Sequence, residues 1–455
     1  MADASLPDLG GKATLRGRPL VESVSVFMNN WANNVTYHAD RVHTPDSTGQ
    51  VAEIVGRASR VHALGSRHSF NAVPDAEGGD LISLAKLDRL LEINDQADTP
   101  TARVEAGIRY SDLALALHAA GYALPNMASL PHISVVGACS TGTHGSGNAN
   151  PCLAAAVSAV KVVHADGSIR DYTRQSPEFP GLICGLGAMG VIVEAMLDLL
   201  PTFDVEQRVY ENLPFDKLDA PAFERVSAGG YSVSLFTDWQ GGRFNQVWVK
   251  SKVGEPHVDL REFGATPATR RMHMAEGSVA APQIMAFTFP EKCTEQLGVA
   301  GPWNERLPHF RPEEEPSSSG RELQSEYILP REHAVEAMAT MFAMGDCIRP
   351  LIQISEIRTM AADELWMSPF YQRDSVGIHF TWMPDEPGVR ELLPDIEAAL
   401  EPFEPRPHWG KIFTMAGGAL RSRYPRVIEF RQLAGELDRT GKFRNEFLNA
   451  NVFGM

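Results

Sequence analysis

Cysteine is scarce in this chain of 455 residues, and the few cysteines are scattered along it. They are odd in number and form no CxxC pair: Cys139, Cys152, Cys184, Cys293 and Cys347. A disulfide framework or a zinc site needs paired or closely spaced cysteines. We therefore expect neither, predict no bound metal, and expect a reducing compartment.

Long hydrophobic runs are also missing. No stretch reaches the roughly 18 apolar residues that a membrane-spanning helix needs, and residues 1–20 lack the apolar core of a signal peptide. The sequence thus predicts a cytoplasmic protein with a flexible N-terminal extension over residues 1–23. A low-complexity run at 313–320 is expected to form an exposed loop.

A basic excess is absent as well. The chain has 41 lysines and arginines against 57 aspartates and glutamates, which gives a formal net charge of −16, and the charges are dispersed. Nucleic acid and anionic membranes are therefore not expected as partners. The length is sufficient for two or three domains, and we expect a monomer.

The first 200 residues alternate short apolar segments with alanine-rich ones. Segments at 61–64, 80–84 and 160–163 are typical of strands, whereas residues 112–120 favour a helix that ends at Gly121. Asp166 and Gly167 predict a hairpin with a tight primed turn between 160–163 and 169–172. This alternation indicates an α+β or α/β fold.

After Pro201 the sequence changes to alternating polar and apolar residues. Segments at 231–236, 244–250, 323–329, 351–359 and 376–383 show this period of two. Such alternation predicts antiparallel strands with one covered face. We expect a second, sheet-based domain over residues 201–400.

A glycine motif with Gly185, Gly187 and Gly190 matches the GxGxxG pattern of dinucleotide-binding folds. That pattern requires a strand before it and a helix after it. Here the preceding residues do not resemble a strand, whereas residues 191–197 do. We therefore predict a glycine turn close to a ligand and not a Rossmann site.

Two loops rich in small residues form a candidate cofactor cradle. The first has the sequence GSRHSFN at 65–71, and its backbone N–H groups can surround an anion such as a pyrophosphate. The second, at 129–147, is rich in prolines, glycines and hydroxyl side chains. This composition is typical of backbone that approaches a ligand closely or turns repeatedly. A lone histidine in such a loop, here His68, is more often a simple hydrogen-bonding residue.

Polar side chains share one face of two predicted strands. A period of two places Glu356 beside Arg358 and His379 beside Thr381. These groups fit either a structural network or a site that orients a polyhydroxylated substrate. Lys411, in RPHWGK, is either a surface lysine or a charge over the pyrimidine side of a flavin.

The ordered set of motifs resembles the alditol oxidases, which belong to the vanillyl-alcohol-oxidase type of FAD flavoproteins. The similarity extends from about Asn29 to the C-terminus and keeps the family's order. The similar segments are GSRHSFN, LPNMASLPHISVVGACSTGTHGSG, LGAMGVI, YSVSLFTDW, KCTEQ, GPWNERLPHF, LQSEY, SEIRT, HFTW and RPHWGK.

The resemblance implies a two-domain α+β fold of the PCMH or vanillyl-alcohol-oxidase type. Residues 24–200 and 401–455 would form the FAD domain, and residues 201–400 an antiparallel-sheet cap that binds substrate. His68 would carry FAD covalently at the flavin 8α position. The implied FAD contacts are Ala63, Leu64, Gly65, Ser66, Arg67, His68, Ser69, Ser129, Ser134, Gly137, Thr141, Gly142, Thr143, His144, Val191, Ile192 and His408. The implied polyol contacts are Ser129, Gln324, Glu356, Arg358, His379, Thr381 and Lys411.

The implied activity is oxidation of the terminal hydroxyl of alditols such as xylitol and sorbitol to aldoses, with O2 reduced to H2O2. Glu356 and Arg358 would hold neighbouring hydroxyls and help to remove a proton as hydride leaves, and Lys411 would stabilise the reduced flavin. Arg67 stands where related flavoproteins often have a smaller residue, and it would affect flavin attachment or contact the pyrophosphate. A sugar-1,4-lactone oxidase, a polyol dehydrogenase with another electron acceptor, and a nonenzymatic sugar-binding protein stay open as alternatives.

Overall fold

The structure is a computed structural model that describes residues 28–96, 98–312 and 321–455. The predicted extension at 1–23 and the predicted loop at 313–320 lie outside the described residues. Within these residues, no helix has both the length and the apolar character needed to cross a membrane.

The described residues up to 201 form short strands and helices. The strands are β1 (Met28–Asn29), β2 (Thr36–Tyr37), β3 (Arg41–His43), β4 (Val61–Leu64), β5 (Asp80–Ser83), β6 (Leu90–Asn94), β7 (Thr101–Glu105), β8 (Tyr122–Ala123), β9 (Val157–Val163), β10 (Ile169–Thr173), β11 (Val191–Asp198) and β12 (Leu200–Pro201). The helices are α1 (Thr48–Arg57), α2 (Tyr110–Ala119), α3 (Val135–Ser140) and α4 (Phe179–Leu182), with a 3-10 turn at Leu153–Ala156.

The described residues up to 201 contain one sheet of three strands and one of five. Strands β3, β5 and β4 form a parallel sheet in that order, and the loop with His68 begins where β4 ends. An antiparallel sheet has the order β10-β9-β11-β7-β6. The predicted hairpin of β9 and β10 is confirmed. The predicted primed turn is wrong. Gly167 has a positive φ, of 80°, but Asp166 does not.

The leucine repeat near residue 113 forms a helix, as predicted. Leu113 and Leu117 are buried in α2, whereas Leu115 is 53% exposed. Residues four apart share a helix face, and the leucine between them points to the other side. Gly121 follows with a φ of 85°, a left-handed conformation that glycine adopts without steric cost.

The described residues from 204 onward form a large sheet and several helices, and the helices after residue 416 pack with the first part of the chain. The strands are β13 (Asp204–Pro214), β14 (Ser232–Thr237), β15 (Arg243–Lys252), β16 (Thr266–Pro267), β17 (Gly301–Pro302), β18 (Leu323–Pro330), β19 (Ile352–Met360), β20 (Ser375–Trp382) and β21 (Arg406–Pro407). The helices are α5 (Ala220–Ser227), α6 (Ala281–Ile284), α7 (Trp303–Arg306), α8 (Ala334–Ala343), α9 (Gly345–Ile348), α10 (Glu386–Leu400), α11 (Gly417–Ser422), α12 (Val427–Leu437) and α13 (Glu446–Leu448). Short 3-10 turns lie at Phe215–Lys217, Leu260–Phe263, Met285–Phe287, Pro290–Lys292, Arg331–His333 and Glu401–Phe403, and a π-turn at Asn449–Phe453.

The large sheet has the order β16-β13-β15-β14-β19-β20-β18-β21, with β17 paired to β13. The predicted antiparallel strands are confirmed. The prediction of one covered face is wrong, since every residue of β19 is buried. Helices α5, α8 and α10 pack on one face, and residues between 272 and 310 pack on part of the other.

The C-terminal segment touches both halves of the chain. Strand β21 pairs with β18, and the side chain of Asn71 donates to the carbonyls of Trp409 and Lys411 at 2.8 and 2.7 Å. The backbone of Val61 donates to Lys442. The α+β architecture is as predicted, and the division into domains at 24–200, 201–400 and 401–455 stays a prediction.

Candidate active site

A continuous cavity runs between the small-residue loops and the large sheet. Residues 62–70 and most of residues 128–144 line one part of it, together with the glycine turn at 185–190. Strands β18, β19 and β20 line the other end, next to His408, Gly410 and Lys411. An elongated ligand can therefore lie along the loops with one end against the sheet.

Most predicted site residues line this cavity. All predicted polyol contacts do so, and so do all predicted FAD contacts except Gly142 and Val191. A side chain at Gly142 would meet Pro369 and Cys184. Val191 is fully buried in the core, because side chains alternate along a strand and its neighbour Ile192 faces the cavity instead. Contacts of FAD with these two residues stay predictions.

His68 lies in the loop directly after β4. Its Nδ1 is 3.2 Å from Ser66 Oγ, and the Trp31 ring stacks on it with the centroids 5.2 Å apart. Burial lowers the pKa of His68 to about 4, so the imidazole is neutral at pH 7 and keeps a nucleophilic lone pair. Arg67, with a φ of 64°, turns outward, and its exposed guanidinium donates to the Asn29 carbonyl at 3.2 Å.

Ser66 and Ser134 tie the two loops together. The backbone of Ser134 donates to Ser66 Oγ at 3.0 Å, and the backbone of Ser66 donates to Ser134 Oγ at 3.3 Å. A Cβ atom added at Gly65 or Gly137 would collide with Ser134 Oγ. The two loops therefore approach this closely only because both positions are glycine.

The sheet end of the cavity carries a row of polar side chains. The strand register places Glu326 opposite His379, and His379 opposite Glu356. Gln324 and Thr381 form the next pair on β18 and β20. The side chains that periodicity predicted to share a face thus lie abreast on three neighbouring strands.

Glu326 is the centre of a buried ion-pair network. Its carboxylate accepts from Lys411 Nζ at 2.6 Å and from Arg358 Nη2 at 3.0 Å, and His144 Nε2 lies 3.1 Å away. Burial alone would raise the pKa of Glu326, but Lys411, His144 and Arg358 hold it well below its usual range. The carboxylate is therefore ionised and fixes both cations at the cavity wall.

Glu356 is the second ionised carboxylate of the site. It accepts from His309 Nε2 at 2.7 Å, and its other oxygen lies 3.5 Å from Arg358 Nε. Burial would raise the pKa of Glu356, but Arg358 and His309 hold it well below its usual range. Arg358 also donates to Ser129 Oγ at 3.3 Å. One guanidinium thus links two carboxylates and the second loop.

Glu326 and His309 are cavity residues that the sequence prediction missed. Glu326 follows Gln324 by two residues on β18, so strand periodicity could have identified it. His309 lies outside the helices and strands, 47 residues before Glu356. No spacing rule connects two such positions, and only the folded structure shows their contact.

Three of the described residues have the spacing of metal ligands. Ligand atoms of His144, Glu326 and His408 lie within 4.8 Å of one another. The Glu326 carboxylate already pairs with Lys411 and Arg358, and these cations would repel a metal ion at that position. We therefore assign Glu326 and His144 to the ion-pair network, with the His408 ring beside that of His144.

The residues present fit the FAD that the sequence resemblance implies. The loops leave a cavity lined by glycine and small side chains. Both ring nitrogens of buried His379 have no hydrogen-bond partner among the described residues. Since buried polar groups nearly always find partners, the His379 nitrogens indicate that a polar ligand completes the site.

Two protein-family profiles match the chain. The profile described as an FAD binding domain matches residues 39–173, which include both small-residue loops. The profile of D-arabinono-1,4-lactone oxidase matches residues 319–451, which include the polar row and Lys411.

The chain is similar to characterised proteins over most of its length. It is 47% identical to the alditol oxidase of Streptomyces sp. (strain IKD472 / FERM P-14339), over 93% of this chain and 99% of that protein. It is 24% identical to the L-gulono-1,4-lactone dehydrogenase of Mycobacterium tuberculosis (strain CDC 1551 / Oshkosh), over 93% and 98%. The cholesterol oxidase structure from B. sterolicum shares the fold, with a TM-score of 0.77, 14% identity and coverage of 97% and 99%. The chain therefore belongs to the alditol oxidase family, within the vanillyl-alcohol-oxidase type of FAD-binding proteins.

Proposed function

We propose that this protein oxidises the terminal hydroxyl of alditols such as xylitol and sorbitol, with FAD as its cofactor. The observation that carries the proposal is the polar row Glu326–His379–Glu356, with Arg358 and Lys411 beside it, at one end of the cavity. A polyol hydroxyl both donates and accepts hydrogen bonds, so a wall of alternating acceptors and donors suits it. The 47% identity to an alditol oxidase supports this substrate class.

FAD, when bound, would supply the redox chemistry, as the acceptor of hydride from the alcohol carbon and the donor of electrons for the reduction of O2 to H2O2. We propose that His68 holds this cofactor covalently at the flavin 8α position. The neutral ring of His68, which faces the cavity between Ser66 and Trp31, supports that assignment.

Glu356, Arg358 and Lys411 are the side chains to which we assign direct roles. We assign to the ionised Glu356 the hydrogen bond that the reacting hydroxyl donates, and a part in the removal of that hydroxyl's proton. Arg358 donates to the oxygen of the neighbouring hydroxyl and so fixes the carbon that reacts. Lys411 places a positive charge at the cavity wall, where it stabilises negative charge that develops during the reaction.

A sugar-1,4-lactone oxidase is the second candidate. The match of residues 319–451 to the D-arabinono-1,4-lactone oxidase profile favours it, whereas the lower identity of 24% to a lactone dehydrogenase disfavours it. A lactone ring also has fewer free hydroxyls to meet the polar row.

Turnover under air separates these activities. We expect H2O2 release with xylitol and sorbitol, and much slower release with L-gulono-1,4-lactone. Faster turnover of the lactone would assign the second candidate instead. Substrate oxidation that proceeds with a dye but yields no H2O2 under air would identify a dehydrogenase.

Acid precipitation tests the covalent bond to His68. We expect the yellow colour to stay with the denatured pellet, and the flavin peptide to contain residue 68. Colour that moves into the supernatant would show that FAD is bound without a covalent link. The cytoplasmic location and the monomeric state stay predictions.

A further inference from the structure

Lys250 is a lysine whose charge lies entirely inside the protein. It is on β15 with 1% of its surface exposed. Its Nζ donates to the carbonyls of Leu307 and Pro308 at 2.6 and 2.8 Å, and it lies 3.1 Å from His309 Nδ1. A buried ammonium is costly unless all its donors are satisfied. All three donors of Lys250 end on residues 307–309.

His309 connects Lys250 to the cavity. Its Nδ1 faces Lys250, and its Nε2 lies 2.7 Å from Glu356 Oε1. Its backbone N–H donates to the Ser129 carbonyl at 3.0 Å. The rings of Phe236 and Trp248 pack against its imidazole. The imidazole is therefore fixed at both nitrogens and by the surrounding rings.

The contact with Lys250 determines the tautomer of His309. An ammonium has three donors and no acceptor, so His309 Nδ1 must offer it a lone pair. Burial lowers the pKa of His309 to about 4, and the neutral ring then carries its hydrogen on Nε2. That nitrogen is the one that donates to the Glu356 carboxylate.

Loss of the Lys250 proton would reverse this arrangement. A neutral amine would donate its two hydrogens to the carbonyls of Leu307 and Pro308 and accept a hydrogen bond from His309 Nδ1. His309 Nε2 would then point a lone pair at a carboxylate, which is repulsive.

We propose that Lys250 and His309 are positioning residues for Glu356. The Lys250 ammonium fixes the Nε2–H tautomer of His309, and His309 then holds the Glu356 carboxylate toward the polyol. This inference rests on the proposed function, in which Glu356 receives a substrate hydroxyl. The charged and titratable groups that face Lys250 are His309, Glu356, Arg358 and Cys293. Burial lowers the pKa of Lys250 to about 7, so the arrangement is present below that pH and is lost as pH rises through it.

Kinetics of matched variants test the proposal. We expect K250M to slow flavin reduction by xylitol by about tenfold to a hundredfold at unchanged FAD content, because a small displacement of a substrate-holding group is enough for such a loss. K442M is the matched control, since Lys442 donates to the carbonyls of Val55 and Ala165 outside the cavity. K442M should keep the wild-type rate.

Two substitutions at His309 separate positioning from packing. H309L should lose as much rate as K250M, whereas H309Q keeps an N–H donor for Glu356 and should recover most of that loss. Equal rates for H309L and wild type would overturn the proposal. Equal losses in H309L and H309Q would also overturn it, because they would assign His309 a packing role.

The tautomer can be observed directly in wild-type protein labelled with 15N-histidine. The His309 signal, assigned by its absence in H309Q, should show the Nε2–H form at about pH 6 and lose it as pH rises through about 7. An Nδ1–H form at about pH 6 would overturn the proposal even if K250M failed to fold. If wild type is reduced by xylitol but K250M and H309L match it, only this inference fails; if no alditol reduces wild type, the proposed function fails.

Discussion

The side chains at the sheet end of the cavity differ in charge state, and these differences determine what each can do. Glu326 and Glu356 are ionised because cations and imidazoles surround them. His379 is neutral because burial holds its pKa well below the usual range. The site thus offers carboxylate acceptors, cationic donors and a neutral ring within one row.

Glu326 gives the first test at the residue scale. We expect E326Q to reduce the free energy of unfolding by about 3–5 kcal/mol, because Lys411 would lose its buried counter-charge and Arg358 one of its two. Urea unfolding measures this change. E336Q is the control, since Glu336 is exposed on α8, and its effect should stay within about 0.5 kcal/mol. An E326Q protein as stable as wild type would show that the network contributes nothing.

His68 gives the second test at the residue scale. We expect H68A to fold, because the side chain lies at the cavity wall and not in the core, and to bind FAD without a covalent bond and more weakly. Acid precipitation and the FAD content of the purified protein measure this. H118A, changed on α2 outside the cavity, should keep its flavin as wild type does. Covalent flavin in H68A would remove His68 from its proposed role.

At the scale of elements, the close approach of the two small-residue loops can be tested at Gly65. In G65A the new methyl group would force Ser134 Oγ away and break its contact with the Ser66 backbone. We expect a loss of about 1–3 kcal/mol in unfolding free energy and weaker FAD retention. G49A is the matched control in α1, where a Cβ meets nothing within 4 Å, and it should be neutral or slightly stabilising. Unchanged FAD retention in G65A would mean that the loops can separate without harm.

Elements were predicted well where local pattern decides them. The glycine turn follows α4 and precedes β11, so it has the reverse of the strand-to-helix order of a Rossmann site, as predicted. The covered faces of the large sheet were predicted wrongly. Alternation along a strand shows which side chains are polar, but it does not show whether other parts of the protein cover the polar face. In β19 the polar residues Glu356 and Arg358 face a cavity inside the protein, so they are buried as well.

At the scale of the whole molecule, sheet order determines the site, and the sequence does not reveal it. Strand β20 lies between β19 and β18, although β18 precedes both in the chain. This order places His379 between Glu326 and Glu356. The ordered motifs predicted which segments matter, whereas the contacts of Glu326 with Lys411 and of His309 with Glu356 depend on pairings between distant segments.

The buried charges also make global stability depend on pH. Folding lowers the pKa of Glu326 and Glu356, so their contribution is full above the ordinary value of 4.5 and is lost as pH falls below it. The buried neutral histidines His379 and His408 act in the same direction from about 6.5 downward. We expect the unfolding free energy to fall from about pH 6.5 to pH 4, and E326Q to show a shallower fall below about 4.5. A flat profile would contradict the assigned charge states.

Anaerobic stopped-flow reduction of the bound flavin by xylitol tests most directly whether this cavity oxidises alditols. Wild type should lose its flavin absorbance in a single turnover, and E356Q should do so about a hundredfold more slowly because the reacting hydroxyl loses its ionised acceptor. A flavin that no alditol reduces would contradict the proposed function. An E356Q protein that reacts at the wild-type rate would contradict the role of Glu356.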